Sequence, residues 1–130
     1  MQALFLVLNK TDQLNHVLKA LYDCGVRGAT IMNSTGMGRQ LSRQIPIFAS
    51  LGYLADEDRP YNYTIFAVMK DEKVAHVIDA LNALLGDLSR PGTGIVFTVP
   101  VGTVVGLAPE GGPVGPGSDD NRAHGRRDNE

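Results

Sequence analysis

The chain has 130 residues and a formal net charge of -2, with 43% hydrophobic and 6% aromatic residues. This length suits one compact domain with a real hydrophobic core and is too short for two. The slightly acidic balance provides no basic field for nucleic acid, and few aromatic side chains are present to stack on bases. We therefore expect no nucleic-acid partner.

The cysteine content and the apolar runs indicate the compartment. Cys24 is the only cysteine and lies among apolar neighbours, which favours a small core side chain over half of a disulfide. Residues 1–8 are apolar but have no basic leader, and no apolar run is long enough to span a bilayer. The sequence therefore predicts a cytoplasmic protein without a membrane span.

The first half of the chain predicts a strand, a helix and a second strand. Residues 1–8 are apolar on both faces, as in a strand that is covered on both sides. Residues 12–24 repeat apolar side chains at helical spacing, and Gly25 supplies the stop. Residues 27–35 are rich in β-favouring or small side chains and predict the second strand.

The second half predicts a strand, a helix and a last strand. Residues 61–69 show strand alternation. Asp71 is predicted to cap the helix that follows, and Gly86 to end it. A short loop at residues 87–94 then leads to residues 95–99, whose dense β-branched and aromatic content predicts a buried strand.

The resulting βαββαβ order is that of the ferredoxin-like fold, an α+β sandwich whose antiparallel sheet carries both helices on one face. The other sheet face is left bare, and exposed apolar surface costs roughly 25 cal/mol per Å². We therefore expect self-association to cover that face. From residue 106 the composition changes to Gly, Pro, Asp, Asn and Arg, so residues 106–130 predict a disordered tail after a domain at residues 1–105.

A glycine-containing turn follows the second strand. Gly36 and Gly38 can take positive φ and let the main chain approach a ligand closely. The side chains around the bend supply donors: Ser34, Thr35, Arg39 and Gln40. The pattern predicts a backbone-lined pocket for phosphate or carboxylate groups, although two glycines beside an arginine also suit an ordinary loop.

Residues 36–60 form a long excursion without strand alternation, and long loops of this kind are usually functional. Several of its side chains are unusually apolar for an exposed loop: Ile45, Ile47, Phe48, Leu51, Tyr53 and Leu54. They predict either a segment that folds back on its own assembly or a docking segment for a partner protein. Residues 56–59 have the composition of a solvated turn.

This order of elements, together with the turn, resembles the trimeric PII family of signalling proteins over residues 1–105. The family's second strand carries a threonine and then Gly-x-Gly-Arg-Gln at the base of its T-loop, matched here by Thr30, Gly36, Gly38, Arg39 and Gln40. The family's B-loop reads Gly-Asp-Gly-Lys-Ile-Phe, matched here by Gly92-Thr93-Gly94-Ile95-Val96-Phe97. The resemblance implies a non-enzymatic homotrimer with a T-loop at residues 36–60.

In the family, adenine nucleotides lie between subunits, and a B-loop lysine and two C-terminal arginines contact the phosphates. The lysine position is Ile95 here, and the arginine positions fall on Gly106 and Ala108. Each charge-assisted hydrogen bond lost costs about 1.5 to 3 kcal/mol, so AMP or ADP fits better than ATP. Arg39 and Arg90, which lies beside the B-loop match, replace part of the positive charge of the missing lysine and arginines. A cyclic dinucleotide and a small carboxylate are further candidate ligands.

The resemblance implies a sensor in which a nucleotide or small anionic metabolite switches the 36–60 loop. The loop then controls a target protein, which in the family is often a transporter or a metabolic enzyme. One alternative is a divalent-metal-binding trimer similar to the divalent-cation-tolerance proteins, with His16 and His76 one on each helix. The other alternative is a ligand-independent interaction module. A chain that no longer binds the ligand would lack the phosphate-binding side chains of the family, as this chain does. Cys24 has no base partner, and we expect no catalytic site.

Overall fold

The computed structural model describes residues 1–41, 44 and 62–111. These residues form four strands: β1 (Gln2–Leu8), β2 (Thr30–Ser34), β3 (Asn62–Met69) and β4 (Gly94–Pro100). They also form the helices α1 (Leu14–Asp23), α2 (Met37–Leu41) and α3 (Asp71–Leu85), with a 3-10 turn (Thr11–Gln13) before α1. The predicted βαββαβ order is present, with the single-turn α2 added after β2.

The described strands form one antiparallel sheet in the order β2-β3-β1-β4. Leu8 at the end of β1 lies opposite Tyr63 of β3 and Gly94 of β4, and Ser34 of β2 lies opposite Asn62 of β3. We call this edge of the sheet, where β1 and β2 finish and β3 and β4 start, the loop end. The opposite edge, which carries Met1 and Met69, is the terminal end.

Helices α1 and α3 cover one face of the sheet, as predicted. Alternation along β1 and β3 directs one set of side chains to that face, where the apolar stripes of the helices meet them. The buried cluster consists of Leu4, Leu6, Leu8, Val17, Leu21, Cys24, Val26, Ile65, Ala67, Met69, Val77, Leu81 and Leu85. The burial of Cys24 raises the pKa of its thiol, in keeping with the predicted core role.

The other face of the sheet carries a row of aromatic side chains. Phe5 on β1 stacks on Phe66 of β3 with 5.5 Å between ring centroids, and on Phe97 of β4 with 5.0 Å. Beside them on β4, Ile95 is 57% exposed and Val99 is 39% exposed. The prediction of a buried β4 is therefore wrong for the single chain. β4 is an edge strand of the sheet. Its composition predicts an apolar strand but does not reveal whether another element covers it.

The ends of the helices differ in part from the predictions. Gly25 follows α1 with φ 91, and Gly86 follows α3 with φ 77, so both predicted glycine stops are confirmed. Asp71 does not cap α3 but is its first residue, because the extended Lys70 precedes it and makes no side-chain cap hydrogen bond. The Asp71 carboxylate instead lies 3.1 Å from the amino group of Met1.

After β4 the chain crosses the terminal end of the sheet. The Val101 N–H donates to the Met1 carbonyl at 3.1 Å, and the Gly111 N–H donates to the Gly25 carbonyl at 3.0 Å. The Glu110 carboxylate accepts the Lys70 N–H at 3.1 Å. Residues 110 and 111 of the predicted tail thus make defined contacts with the domain, and residues 112–130 lie outside the described residues.

Candidate functional site

Polar side chains from several strand ends meet at the loop end. Ser34 is the last residue of β2, Asn62 is the first of β3 directly opposite it, and Asn9 follows β1. The loop at residues 87–94 closes over the same edge because Gly94 pairs with Leu8. Antiparallel pairing therefore gathers residues from four distant parts of the chain.

These side chains are joined by hydrogen bonds. The Ser34 hydroxyl donates to Asn62 Oδ1 at 2.6 Å and lies 2.7 Å from Thr64 Oγ1. Asn62 Nδ2 donates to Asn9 Oδ1 at 3.3 Å, and Asn9 Nδ2 donates to the Gly92 carbonyl at 3.4 Å. We call Thr64, Ser34, Asn62, Asn9 and the Gly92 carbonyl the loop-end network. It connects the base of the 36–60 excursion with the loop at residues 87–94.

Charged groups lie on the segments that flank this neutral network in sequence. Lys10 Nζ donates to the Leu85 carbonyl at 3.0 Å, where the carboxyl end of α3 favours a cation. Arg39 is half-buried in α2, and Arg90 is exposed in the loop. Asp87, in the same loop as Arg90, accepts hydrogen bonds from the Ser89 hydroxyl at 2.6 Å and the Ser89 N–H at 2.9 Å. These bonds lower the pKa of Asp87, so its carboxylate is ionised at neutral pH.

The glycine turn after β2 is helical. The Gln40 N–H donates to the Gly36 carbonyl at 3.1 Å, which is the hydrogen bond of an α-helical turn. Neither Gly36 nor Gly38 belongs to the described glycines with positive φ, which are Gly25, Gly86, Gly92, Gly94 and Gly106. Neither glycine therefore uses the positive φ that its residue type allows. Glycine tolerates the helical region as well, and the sequence does not choose between the two conformations.

Two glycines of the 87–94 loop adopt backbone conformations that favour glycine. Gly92 has φ 87 and Gly94 has φ 149. A Cβ at Gly94 would lie 2.4 Å from the Val7 carbonyl oxygen, so only glycine lets the loop approach β1 this closely. Thr93 between them is 8% exposed, which places this predicted ligand contact inside the single chain.

The remaining predicted site residues are spread along the chain. Thr35 is exposed just beyond β2, next to the network. Thr30 lies opposite Phe66, on the bare face of the sheet and roughly 13 Å along β2 from Ser34. One chain thus does not bring Thr30 to the loop end. The predicted partner-binding side chains lie outside the described residues: Ile45, Ile47, Phe48, Leu51, Tyr53 and Leu54.

Three residues of the loop end were not predicted from the sequence: Asn9, Lys10 and Asn62. Each is a polar residue directly after or at the start of an apolar strand, which is the signal that would have found them. That signal depends on knowing which strand ends share an edge. The strand order β2-β3-β1-β4 supplies this knowledge, and local patterning does not.

Two further features concern residues 1–41, 44 and 62–111: metal-ligating side chains and apolar helices. No three or more His, Cys, Asp or Glu side chains within these ranges are grouped so as to hold a metal ion. His16 is exposed, with its Nδ1 3.1 Å from Gln13 Oε1, and His76 is exposed on α3. Across the same ranges, no helix has the length and apolar character required to cross a bilayer.

The fold and the loop end define an α+β domain with a four-stranded antiparallel sheet in its described residues and a polar edge of that sheet. A sequence profile described as nitrogen regulatory protein P-II matches residues 3–110. The match covers most of the chain, and the chain belongs to the nitrogen regulatory protein P-II family, whose members are signalling regulators. The predicted family resemblance is thereby confirmed. No curated protein matches the chain in sequence.

Proposed function

We propose that this chain is a non-enzymatic cytoplasmic regulator that binds a nucleotide-like or small anionic metabolite at the loop end, in the clefts of a homotrimer. Binding switches the 36–60 loop, which controls a partner protein such as a transporter or a metabolic enzyme. The loop-end network carries this proposal, because it joins the base of that loop to the 87–94 loop. Membership of a family of signalling regulators supports it.

The bare sheet face supports the homotrimer. Phe97 is 45% exposed and extends the apolar row formed by Phe5 and Phe66. Exposed apolar area costs roughly 25 cal/mol per Å², so contact with further copies is favourable. Clefts between copies would then bring Thr30, on that face, towards a neighbouring loop end.

The charge distribution favours a ligand of low charge. Arg39 and Arg90 are the predicted cations of the site, and the ionised Asp87 shares a loop with Arg90. Ile95 occupies the lysine position of the family motif and is 57% exposed, without a charge to offer a phosphate. A triphosphate brings more negative charge than these groups balance. We therefore rank AMP and ADP above ATP, with cyclic dinucleotides and small carboxylates also included.

A ligand screen tests this function. Thermal unfolding of the full chain is followed with adenine mono-, di- and triphosphates, cyclic dinucleotides, 2-oxoglutarate and bicarbonate, with and without magnesium. A ligand that binds the native state at 100 times its Kd adds about 2.7 kcal/mol of stability. We expect Arg39→Ala to abolish the shift and Lys19→Ala to retain it, because Lys19 pairs with Asp23 on the exposed side of α1.

The other outcomes of the screen separate the alternatives. If no ligand of the panel raises the thermal midpoint, the result would contradict a sensor function and favour a ligand-independent interaction module. Stabilisation by zinc or copper alone would favour the metal-binding trimer. A shift that survives both Arg39→Ala and Arg90→Ala would place the ligand away from the loop end.

A further inference from the structure

The loop-end network crosses the whole sheet. Four of its members follow the spatial order of the strands: Ser34 of β2, Asn62 of β3, Asn9 after β1 and Gly92 two residues before β4. The fifth, Thr64, lies beside Ser34 on β3. Three strand spacings amount to about 14 Å. The two loops that it joins leave from opposite edges of the sheet, so strand pairing by itself does not bring them into contact.

Each asparagine uses both functions of its amide. Asn62 accepts from Ser34 and donates to Asn9, and Asn9 accepts from Asn62 and donates to Gly92. Because the oxygen and the NH2 group of an amide sit on one planar carbon, rotation of either side chain breaks both of its bonds together. The path of hydrogen bonds from Ser34 through Asn62 and Asn9 to Gly92 is therefore either continuous or interrupted.

The bond lengths place the weakest part of the path at Asn9. The Ser34 hydroxyl makes contacts of 2.6 and 2.7 Å with Asn62 and Thr64, whereas the two bonds of Asn9 measure 3.3 and 3.4 Å. Asn9 is also exposed, so water can replace its partners when the bonds open. Opening at Asn9 costs little free energy, which is what a reversible connection requires.

Both ends of the path lie next to segments of defined conformation. Ser34 is two residues before Gly36, whose carbonyl closes the first turn of α2. Gly92 lies between the Asp87–Ser89 hydrogen bonds and the close contact of Gly94 with Val7. A change in the orientation of either segment therefore shifts the nearest network partner.

We propose that Asn9 is a positioning residue that couples the 87–94 loop to the base of the 36–60 excursion. Through it, a change at residues 87–94 alters the conformational equilibrium of residues 36–41, and the coupling is reciprocal. This inference deepens the proposed function by naming how the two loops respond together, and its ligand-linked role rests on that function. The coupling itself is a property of the ligand-free chain.

Hydrogen exchange in the ligand-free full-length chain tests the proposal. Asn9→Leu removes both hydrogen bonds with little change in side-chain volume. We expect amide exchange to rise roughly two- to threefold at residues 36–41 and 87–94, which is the lower end of the net worth of a hydrogen bond because both bonds of Asn9 are long and exposed. Exchange in the core of β1 and β3 and the thermal midpoint should stay unchanged. Asn15→Leu, the same substitution at an exposed position of α1 outside the network, should change neither loop.

A double-mutant cycle adds the decisive comparison. Ser34→Ala cuts the path at its other side, so it should also raise exchange at residues 87–94, on the far edge of the sheet. Adding Ser34→Ala to Asn9→Leu should then have no further effect there, because the path is already interrupted.

The coupling would be overturned if exchange rose in only one of the two loops, or if the effects of the two substitutions were additive in the double variant. It would also be overturned by a general rise in amide exchange with a lower thermal midpoint, because that result marks a merely structural role. These measurements need no ligand. A protein that binds no metabolite can therefore still show the coupling, and a proven sensor can fail to show it.

Discussion

The carboxylate of Glu110 lies 3.6 Å from the ammonium of Lys73, so the last described part of the chain is held to α3. Both side chains are largely shielded from solvent, with relative exposures of 17% and 21%. Lys73 Nζ also donates to the Gly111 carbonyl at 3.0 Å and the Cys24 carbonyl at 3.3 Å. One ammonium group thus connects α3, the end of α1 and the C-terminal segment.

Replacement of this ammonium should be costly. In Lys73→Met, the two carbonyls lose their cationic partner and Glu110 keeps only the more distant ammonium of Lys70, at 3.9 Å. We expect the free energy of unfolding to fall by about 1 to 2 kcal/mol, with screening at a partly exposed site included. Urea denaturation at fixed protein concentration measures the change. Lys19→Met is the matched control, because Lys19 is 73% exposed in its pair with Asp23 and should change stability by less than about 0.5 kcal/mol. Equal losses in the two variants would contradict the role of Lys73.

Gly25→Ala should detach the C-terminal segment. A Cβ at Gly25 would lie 2.1 Å from the Gly111 oxygen and 2.3 Å from Lys73 Nζ, in addition to the strain of φ 91. Gly86→Ala is the control, since φ is 77 there and, among the described residues, no atom of a residue other than its chain neighbours lies within 4 Å of the added Cβ. Both variants should lose of order 1 to 3 kcal/mol from backbone strain. Only Gly25→Ala should accelerate exchange of the Gly111 amide; unchanged exchange there would show that the segment docks independently of Gly25.

Phe97→Asp should disrupt self-association. The substitution places a charge in the aromatic row with Phe5, on the face that the proposed trimer covers. By light scattering, we expect the native chain at about three times its 14.0 kDa mass and the variant at a lower mass. Ala75→Asp adds the same charge at an exposed position of α3 and should leave the mass unchanged. A trimer that persists in Phe97→Asp would mean that the bare face has another partner.

The loop at residues 87–94 should lose order in acid. Hydrogen bonds from the Ser89 hydroxyl and N–H hold the pKa of Asp87 below its ordinary value. A depressed folded pKa means that this carboxylate supports the loop above its unfolded pKa, near 3.9, and that the support is lost as pH falls through the folded value. NMR titration should show the pKa of Asp87 rising towards its ordinary value in Ser89→Ala. An Asp87 that titrates identically in both proteins would rule out the Ser89 hydroxyl as a cause of the lowered pKa.

The sequence by itself determined the local elements and the family. Ile65, Ala67 and Met69 alternate along residues 61–69 and predict a strand with one buried side, which β3 confirms. The helical stripes and the stops at Gly25 and Gly86 are equally local, because periodicity and positive φ depend on neighbours within a turn or two. The family motifs are contiguous as well, and the profile match agrees with them.

Only the tertiary structure decided what meets at the loop end. Asn9 and Asn62 are 53 residues apart, and their 3.3 Å hydrogen bond follows from the register that places Leu8 opposite Tyr63. The edge position of β4 and the helical form of the Gly36 turn were likewise beyond local patterning. Strand order, register and the choice between two conformations that glycine allows are set by the burial of the whole core, which no single segment encodes.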